Sequence, residues 1–112
     1  MSDLKFDSVS LTQSLVKCPS ITPKDEGALG IVEDHLNDIG FSCTRLPFEE
    51  ENSYRVENLF AKIGNEGKHL AFAGHTDVVP PGNESSWKYP PFSGTIKNGR
   101  IYGRGTEDMK GS

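Results

Sequence analysis

A histidine and an aspartate with one residue between them, His75 and Asp77, follow residues 69–73, which are apolar except for His69. In an extended segment, alternate side chains point to the same side, roughly 6 to 7 Å apart. Imidazole nitrogen and carboxylate oxygen are ligands that zinc takes, and a zinc-bound histidine usually needs a carboxylate or carbonyl on its other ring nitrogen. The pair therefore predicts a metal site, although a surface histidine beside a turn-capping aspartate would give the same pattern.

A second candidate, Asp108, lies in the glycine-rich residues 103–111. Glycines let the backbone turn tightly and would present the carboxylate. Neither this segment nor residues 64–68 has the spacing of a dinucleotide or P-loop motif, which argues against nucleotide binding. Asp108 could equally cap a helix, a role that aspartate favours.

Four strings follow one another along the chain: Pro19-Ser20-Ile21-Thr22-Pro23, then Gly74-His75-Thr76-Asp77-Val78-Val79-Pro80-Pro81-Gly82, then Trp87 with Pro90-Pro91-Phe92, then Ile101-Tyr102-Gly103-Arg104-Gly105-x-x-Asp108-Met109-Lys110-Gly111-Ser112. In this order they resemble the dinuclear-zinc deacylase and carboxypeptidase family, over nearly the whole chain. The chain departs from the commoner pattern at Thr106 and Glu107, where small residues are more usual. Glu107 is interpreted as pointing away from the metal.

The resemblance implies that His75 ligates one zinc ion and that Asp108 bridges two, with Co²⁺ as the alternative metal. Asp77 is then the catalytic-site residue that orients His75. The implied reaction is hydrolysis of the amide of a small N-acyl amino acid, because zinc polarises a carbonyl and activates water. His35 and His69 match no ligand of the family and are interpreted as structural or surface histidines.

The family's general-base glutamate, its next zinc-ligand glutamate, and a further glutamate and histidine all follow the position of Asp108. We therefore expect residues 1–112 to be the N-terminal part of the catalytic domain, without the rest of that domain and without the small domain that closes over substrate and forms a homodimer. Residues 49–51 are acidic but precede the motif, and they are not assigned to the site. This portion alone is expected to bind zinc weakly and to be inactive.

Two other classes of function stay open. A non-catalytic binding module that keeps the family's fold would fold independently, whereas an incomplete sheet with an exposed edge would aggregate. A metal-buffering protein would have to bind zinc at sub-micromolar concentration without further ligands.

Two helices are predicted ahead of these motifs. Capping-box spacing between Ser10 and Gln13 indicates a helix start, and Pro19 ends that helix. Thr22 as a cap, with Pro23 at the first helical position, indicates a second helix that Gly40 ends.

Alternation of side chains predicts strands after the helices. Residues 41–46 are typical of an exposed strand, and residues 56–63 and 69–73 are expected to pair as a hairpin. Because residues 69–73 are nearly all apolar, they are expected to form a central strand covered on both faces.

A Pro- and Gly-rich loop at residues 78–92 precedes a second predicted hairpin, in which Asn98-Gly99 turns between residues 95–97 and 100–102. The fold class expected from these elements is α/β. It is a mixed sheet flanked by helices, the first part of a zinc-peptidase-like catalytic domain, with the site at strand ends.

Composition excludes several classes of function. The net charge is -4, and the 12 basic residues form no stripe that could follow phosphates, so no nucleic-acid partner is expected. Cys18 and Cys43 stand too far apart for a Cys-x-x-Cys motif and are interpreted as buried thiols. The acidic residues at 1–7 and the lack of a long apolar run predict no signal peptide and no membrane partner, hence a cytoplasmic protein.

Overall fold

The computed structural model describes residues 7–112. Two helices, α1 (Ser8–Val16) and α2 (Ala28–Asp38), precede two antiparallel strand pairs. In order along the chain, β1 (Ser42–Arg45) pairs with β2 (Leu59–Lys62), and β3 (Thr95–Lys97) pairs with β4 (Arg100–Tyr102). Residues 1–6, on which most of the signal-peptide prediction rests, lie outside the described part of the chain.

Helix α1 begins at Ser8 because Asp7 caps it. The Asp7 carboxylate accepts a hydrogen bond from the Val9 amide at 3.0 Å, and the Ser10 hydroxyl donates to the same carboxylate at 2.7 Å. The predicted start at Ser10 is therefore wrong, since a stronger cap lies three residues earlier. The helix ends at Val16, ahead of Pro19 as predicted.

Helix α2 begins at Ala28, five residues after the predicted position at Pro23. The start is displaced because the Asp25 carboxylate accepts hydrogen bonds from the amides of Gly27 and Leu29, at 3.1 and 3.0 Å. The predicted stop is confirmed. Gly40 adopts a φ of 94°, and the amide after it donates to the Leu36 carbonyl at 3.0 Å, which closes the helix end.

The predicted exposed strand at residues 41–46 is confirmed as β1, with Cys43 and Arg45 half-buried against α2 and the alternate side chains exposed. Arg45 Nε lies 2.6 Å from a carboxylate oxygen of Glu33 on α2. The pairing predicted for the next strand is wrong, because β2 pairs with β1 and not with residues 69–73. The order along the chain did not reveal this pairing, since the acidic loop between β1 and β2 has no tight-turn signal.

Residues 69–73 form no strand and are exposed throughout. Leu70 is 83% exposed and Phe72 is 93% exposed, so the predicted buried central strand is not found here. The apolar composition that suggested burial is present, but no element within residues 7–112 covers it. Apolar surface of this kind marks an interaction site or an aggregation site.

The second hairpin is confirmed in position and turn. Asn98 and Gly99 both have positive φ, 51° and 73°, as a two-residue hairpin turn of type I′ requires. The long loop before it is tied down by Trp87, whose indole Nε1–H donates to the Pro81 carbonyl at 3.0 Å. The Arg104 guanidinium lies over the Trp87 ring, 5.0 Å from its centroid.

The fold class is thus confirmed only in its coarse form, as a small mixed α/β structure. The strands described form two separate antiparallel pairs, so the single mixed sheet is not found. Outside these strands, an isolated parallel bridge joins Ile21 to Val78. No helix within residues 7–112 is long and apolar enough to cross a membrane.

The packed core is small and one-sided. The molecule measures 51 × 47 × 20 Å with a radius of gyration of 15.8 Å, whereas a compact domain of this size has about 13 Å. The buried apolar side chains of the described residues gather where the two helices meet the segment after the candidate histidine. They are Leu15, Val16, Ala28, Leu29 and Val78.

We expect the isolated 112-residue chain to self-associate through residues 69–73, and Phe72→Lys to reduce this. A lysine there replaces an exposed ring with a charge that opposes edge-to-edge pairing. Sedimentation velocity over a range of concentrations measures the effect. Asn65→Lys adds the same charge at an exposed loop position and should leave association unchanged; equal behaviour of both variants would contradict the assignment to residues 69–73.

Candidate metal centre

The segment that carries His75 is held from behind by residues 20–22. The Val78 amide donates to the Ser20 carbonyl at 2.9 Å, and the Thr22 amide donates to the Val78 carbonyl at 3.0 Å. The hydroxyl of Ser20, a fully buried residue, donates to the Thr76 carbonyl at 2.8 Å. These bonds fix one edge of the extended segment. Because side chains alternate between its two faces, His75 and Asp77 project from the face opposite the buried Val78.

The loop that carries Asp108 packs on the same segment through Gly105. A Cβ added to Gly105 would lie 2.6 Å from Val78 Cγ1, and its φ is 89°, so both the space and the backbone conformation require glycine. The Lys110 amide donates to the Gly105 carbonyl at 2.8 Å and closes the turn around Asp108.

Lys110 anchors this loop to the end of α1. It is only 6% exposed, and its Nζ donates to the Cys18 carbonyl at 2.9 Å. Burial lowers the pKa of Lys110, while the nearby Cys18, Asp25 and Asp77 act in the opposite direction. The segment that begins at Cys18 therefore holds both the His75 segment and the Asp108 loop.

His75 meets an aspartate at each ring nitrogen. Its Nε2 lies 3.1 Å from Asp108 Oδ1, across 33 positions of sequence. Its Nδ1 lies 3.0 Å from the main-chain carbonyl of Asp77 and 3.2 Å from Asp77 Oδ1. The Thr22 hydroxyl donates a short hydrogen bond to the other oxygen of that carboxylate. A hydrogen-bond acceptor on each side of the ring thus fixes its orientation.

The pKa of His75 is raised above its ordinary value. The main cause is the hydrogen bond to the Asp77 carbonyl. Desolvation opposes it, and the hydrogen bond to Asp108 and the charges of both aspartates add smaller upward contributions. In the absence of metal, the site thus favours the imidazolium. Because a metal ion needs the neutral ring, proton and metal compete for His75.

His75 and Asp108 fit part of a metal site. They supply a nitrogen and a carboxylate oxygen, the ligand types that zinc takes, and the Asp108 side chain is 87% exposed and so accessible. Two donors do not complete a zinc site, which takes at least three protein ligands. Within residues 7–112, no group of three or more His, Cys, Asp and Glu side chains is placed to hold a metal ion.

Of the three residues singled out from the sequence, His75 lies in contact with both Asp77 and Asp108. His69 lies in the exposed segment, and His35 lies on α2, where its Nδ1 is 2.8 Å from the Ile31 carbonyl. Glu107 is exposed.

Sequence reasoning did not find the roles of three further residues. Thr22 was interpreted as a helix cap but donates to Asp77, and Met109 and Lys110 were quoted within a motif without any function. A methionine and a lysine that follow a candidate ligand carry no pattern that shows what their side chains contact. Pro23, which was interpreted as the first residue of the helix, also disfavours helical backbone at Thr22, and it is the one hint that the sequence offers.

One family of known proteins resembles the part of the chain that carries this geometry. Residues 71–112, which contain His75, Asp77 and Asp108, match the sequence profile of peptidase family M20/M25/M40. The resemblance to metallohydrolases of this kind is thereby confirmed for the segment that carries the site.

Curated relatives give a more particular likeness. The chain is 54% identical over 105 residues to a succinyl-diaminopimelate desuccinylase of Bradyrhizobium sp. (strain ORS 278). It is 55% identical to the enzyme of that name from Nitrobacter hamburgensis and 51% identical to that from Rhodospirillum centenum, each over 105 residues. Each match covers 94% of this chain but 27% of the relative, so the chain spans about a quarter of the length of these proteins.

We predict that Asp108→Asn lowers the pKa of His75 in the metal-free chain. The substitution removes a negative charge that favours the imidazolium. Asp77→Asn should lower it as well but not abolish the shift, because the Asp77 main-chain carbonyl remains. Titration of the ring protons by NMR measures the pKa.

Asp38→Asn, which removes an exposed carboxylate at the end of α2, is the control for that titration. It should leave the His75 midpoint where it is in the unsubstituted chain. A midpoint unchanged in Asp108→Asn would show that the 3.1 Å contact does not persist in solution.

Gly105→Ala should destabilise the chain by about 2 kcal/mol or more, since the new methyl group adds a left-handed backbone penalty to a clash with Val78. Gly82→Ala is the matched control. Gly82 has a similar φ of 74° but nothing within 4 Å of the added Cβ, so it reports the backbone penalty alone. Urea unfolding followed by tryptophan fluorescence gives both values, and equal losses would argue against close packing at Gly105.

Proposed function

We propose that this chain is the N-terminal portion of a metal-dependent amide hydrolase that cleaves N-succinyl-LL-2,6-diaminopimelate to succinate and LL-2,6-diaminopimelate, in diaminopimelate and lysine biosynthesis. The observation that carries the proposal is the contact of His75 Nε2 with Asp108 across 33 positions, with Asp77 on the other ring nitrogen. Relatives about half identical over nearly the whole chain, all named for this reaction, support the choice of substrate.

His75 and Asp108 are the residues that would hold the metal, Zn²⁺ or alternatively Co²⁺, with Asp108 shared between two ions. When bound, the metal polarises the scissile carbonyl and activates water for attack. The further ligands and the general base come from outside residues 7–112. This accounts for the presence of only two metal ligands, His75 and Asp108, within residues 7–112.

Asp77 acts on His75 and not on the substrate. Its main-chain carbonyl and its carboxylate both lie beside Nδ1, so the neutral ring would carry its proton there and leave the Nε2 lone pair for the metal that Asp108 would also ligate. The Thr22 hydroxyl holds the carboxylate in that position. Asp77 therefore sets the tautomer and orientation of the ligand.

The acyl group is assigned from two short stretches. Acetylornithine deacetylases share the frame of the motifs but usually differ after the His-x-Asp element and at the arginine of Gly-Arg-Gly. Val78-Val79-Pro80 and Arg104 both favour the desuccinylase. Thr106 and Glu107 depart from its commoner pattern, so a deacetylase or another amino-acid deacylase or carboxypeptidase of the family is the alternative outcome of the test.

We further propose that residues 1–112 are part of a catalytic domain that other segments complete, and that the complete protein is a cytoplasmic homodimer whose partner is a small N-acyl amino acid and neither nucleic acid nor a membrane. The thin shape, with one dimension of 20 Å, and the exposure of Phe72 support an incomplete domain. Coverage of about a quarter of each relative supports it as well.

The intact mass of the gene product from its native cell is the first measurement. A mass several-fold above 12.3 kDa is expected. A mass near 12.3 kDa would contradict the hydrolase and favour the non-catalytic binding module.

In the complete protein, His75→Ala and Asp108→Ala should each lower kcat for N-succinyl-LL-2,6-diaminopimelate by about 1000-fold or more, because loss of metal activation removes several kcal/mol of transition-state stabilisation. Asp77→Asn should cost about 10- to 100-fold, as substitutions behind a metal ligand do. Release of the free amine measures the rate, and prolonged chelation followed by Zn²⁺ or Co²⁺ should abolish and restore it.

Glu107→Asp keeps the charge beside Asp108 and should retain the unsubstituted rate. N2-Acetylornithine is the competing substrate. Faster hydrolysis of acetylornithine would overturn the assigned acyl group, and activity that survives both alanine variants would overturn the metal centre.

A further inference from the structure

Met109 reaches from one candidate ligand to the other. It follows Asp108 in sequence, and its Sδ accepts a hydrogen bond from the His75 main-chain amide at 3.3 Å. The two segments are 33 positions apart, so this bond links the backbone beside one ligand to the side chain beside the other. Neither the metal chemistry nor the Asp77 contacts account for it.

Gly74 makes room for the thioether. A Cβ added there would lie 3.0 Å from Met109 Cε and 3.5 Å from Sδ. Gly74 is not among the glycines with positive φ, so its backbone conformation does not require glycine. What the position requires is space, and Met109 is the side chain that fills it.

The candidate centre has little packing of its own. His75 and Asp108 side chains are 47% and 87% exposed, so surrounding atoms do not fix their separation. A thioether is flexible and polarisable, which suits it to hold a backbone amide at a surface gap. The contact of Met109 with the His75 amide therefore directly constrains the distance between the backbone segments that carry His75 and Asp108.

We propose that Met109 is a positioning residue that sets the separation of His75 from Asp108, an inference that rests on the proposed metal centre for its functional consequence. Two features of the side chain contribute. The sulfur accepts the His75 amide, and the terminal methyl packs on Gly74.

Three substitutions in the complete protein separate these contributions. Met109→Leu keeps most of the volume and removes the acceptor, and Met109→Ala removes both. Gly74→Ala leaves Met109 intact but displaces it with a methyl group at 3.0 Å. Glu107→Asp, on the other side of Asp108, is the control.

The first readout is Co²⁺ binding, by competition with a chromophoric chelator and by the visible spectrum of the bound ion. We expect about a tenfold loss of affinity in Met109→Leu, a larger loss in Met109→Ala, and an altered spectrum in both. Thermal unfolding of the metal-free proteins identifies variants that merely fail to fold. Affinity and spectrum unchanged in well-folded Met109→Leu and Met109→Ala would overturn the proposal.

The second readout needs no metal. Hydrogen exchange at the His75 amide, resolved by mass spectrometry with electron-transfer fragmentation, should be several-fold faster in Met109→Leu and Gly74→Ala than in Glu107→Asp. If the His75 amide exchanges at the unsubstituted rate in both variants, Met109 does not protect that amide, and the proposal fails. If the unsubstituted protein binds no Co²⁺, the proposed function fails, while the exchange rates still decide whether Met109 holds His75.

Discussion

The parallel contact between residues 20–22 and residues 76–78 is the constraint on which the candidate centre depends. Its two main-chain hydrogen bonds and the buried Ser20 hydroxyl satisfy one side of the extended segment. Because side chains alternate along such a segment, fixing Val78 inward fixes the direction of Asp77 as well. Among the residues described, Val78 is also the one buried aliphatic core side chain that lies outside the two helices, so the core and the site share one anchor.

The glycine-rich loop is bound to the same anchor from the opposite side. Gly105 allows the loop to approach Val78 closely, and the Lys110 ammonium reaches the Cys18 carbonyl. A buried lysine is costly unless its hydrogen bonds are met, so this contact constrains where the loop can lie. Asp108, between these two attachment points, is carried to His75 with no need for packing around its own carboxylate. The exposed side chains of His75 and Asp108 are therefore positioned by the buried contacts of the two backbone segments that carry them.

How much of this could be predicted depends on the range over which each signal acts. The Asn98-Gly99 turn, the Gly40 stop and the spacing of His75 from Asp77 are local, and the structure has all of them where the sequence puts them. The start of α2 was missed because Asp25 competes with Thr22 for the role of cap, and only the fold reveals that Thr22 is used elsewhere. The contact of His75 with Asp108 was expected from family resemblance, since no local pattern joins residues 33 positions apart.

The error at residues 69–73 has a different origin, because there the local pattern is correct and the environment differs. A run with Leu70 and Phe72 on the same side and alanines on the other is typical of a strand between covering layers, yet both large side chains are more than four-fifths exposed. Burial is a property of the assembled layers and not of the strand. Residues 69–73 directly precede Gly74 and His75, so a layer that covers them would also fix the backbone on the N-terminal side of His75. On the C-terminal side of His75, Val78 fixes the backbone. On the N-terminal side, the contacts described for the Gly74–His75 backbone come from Met109.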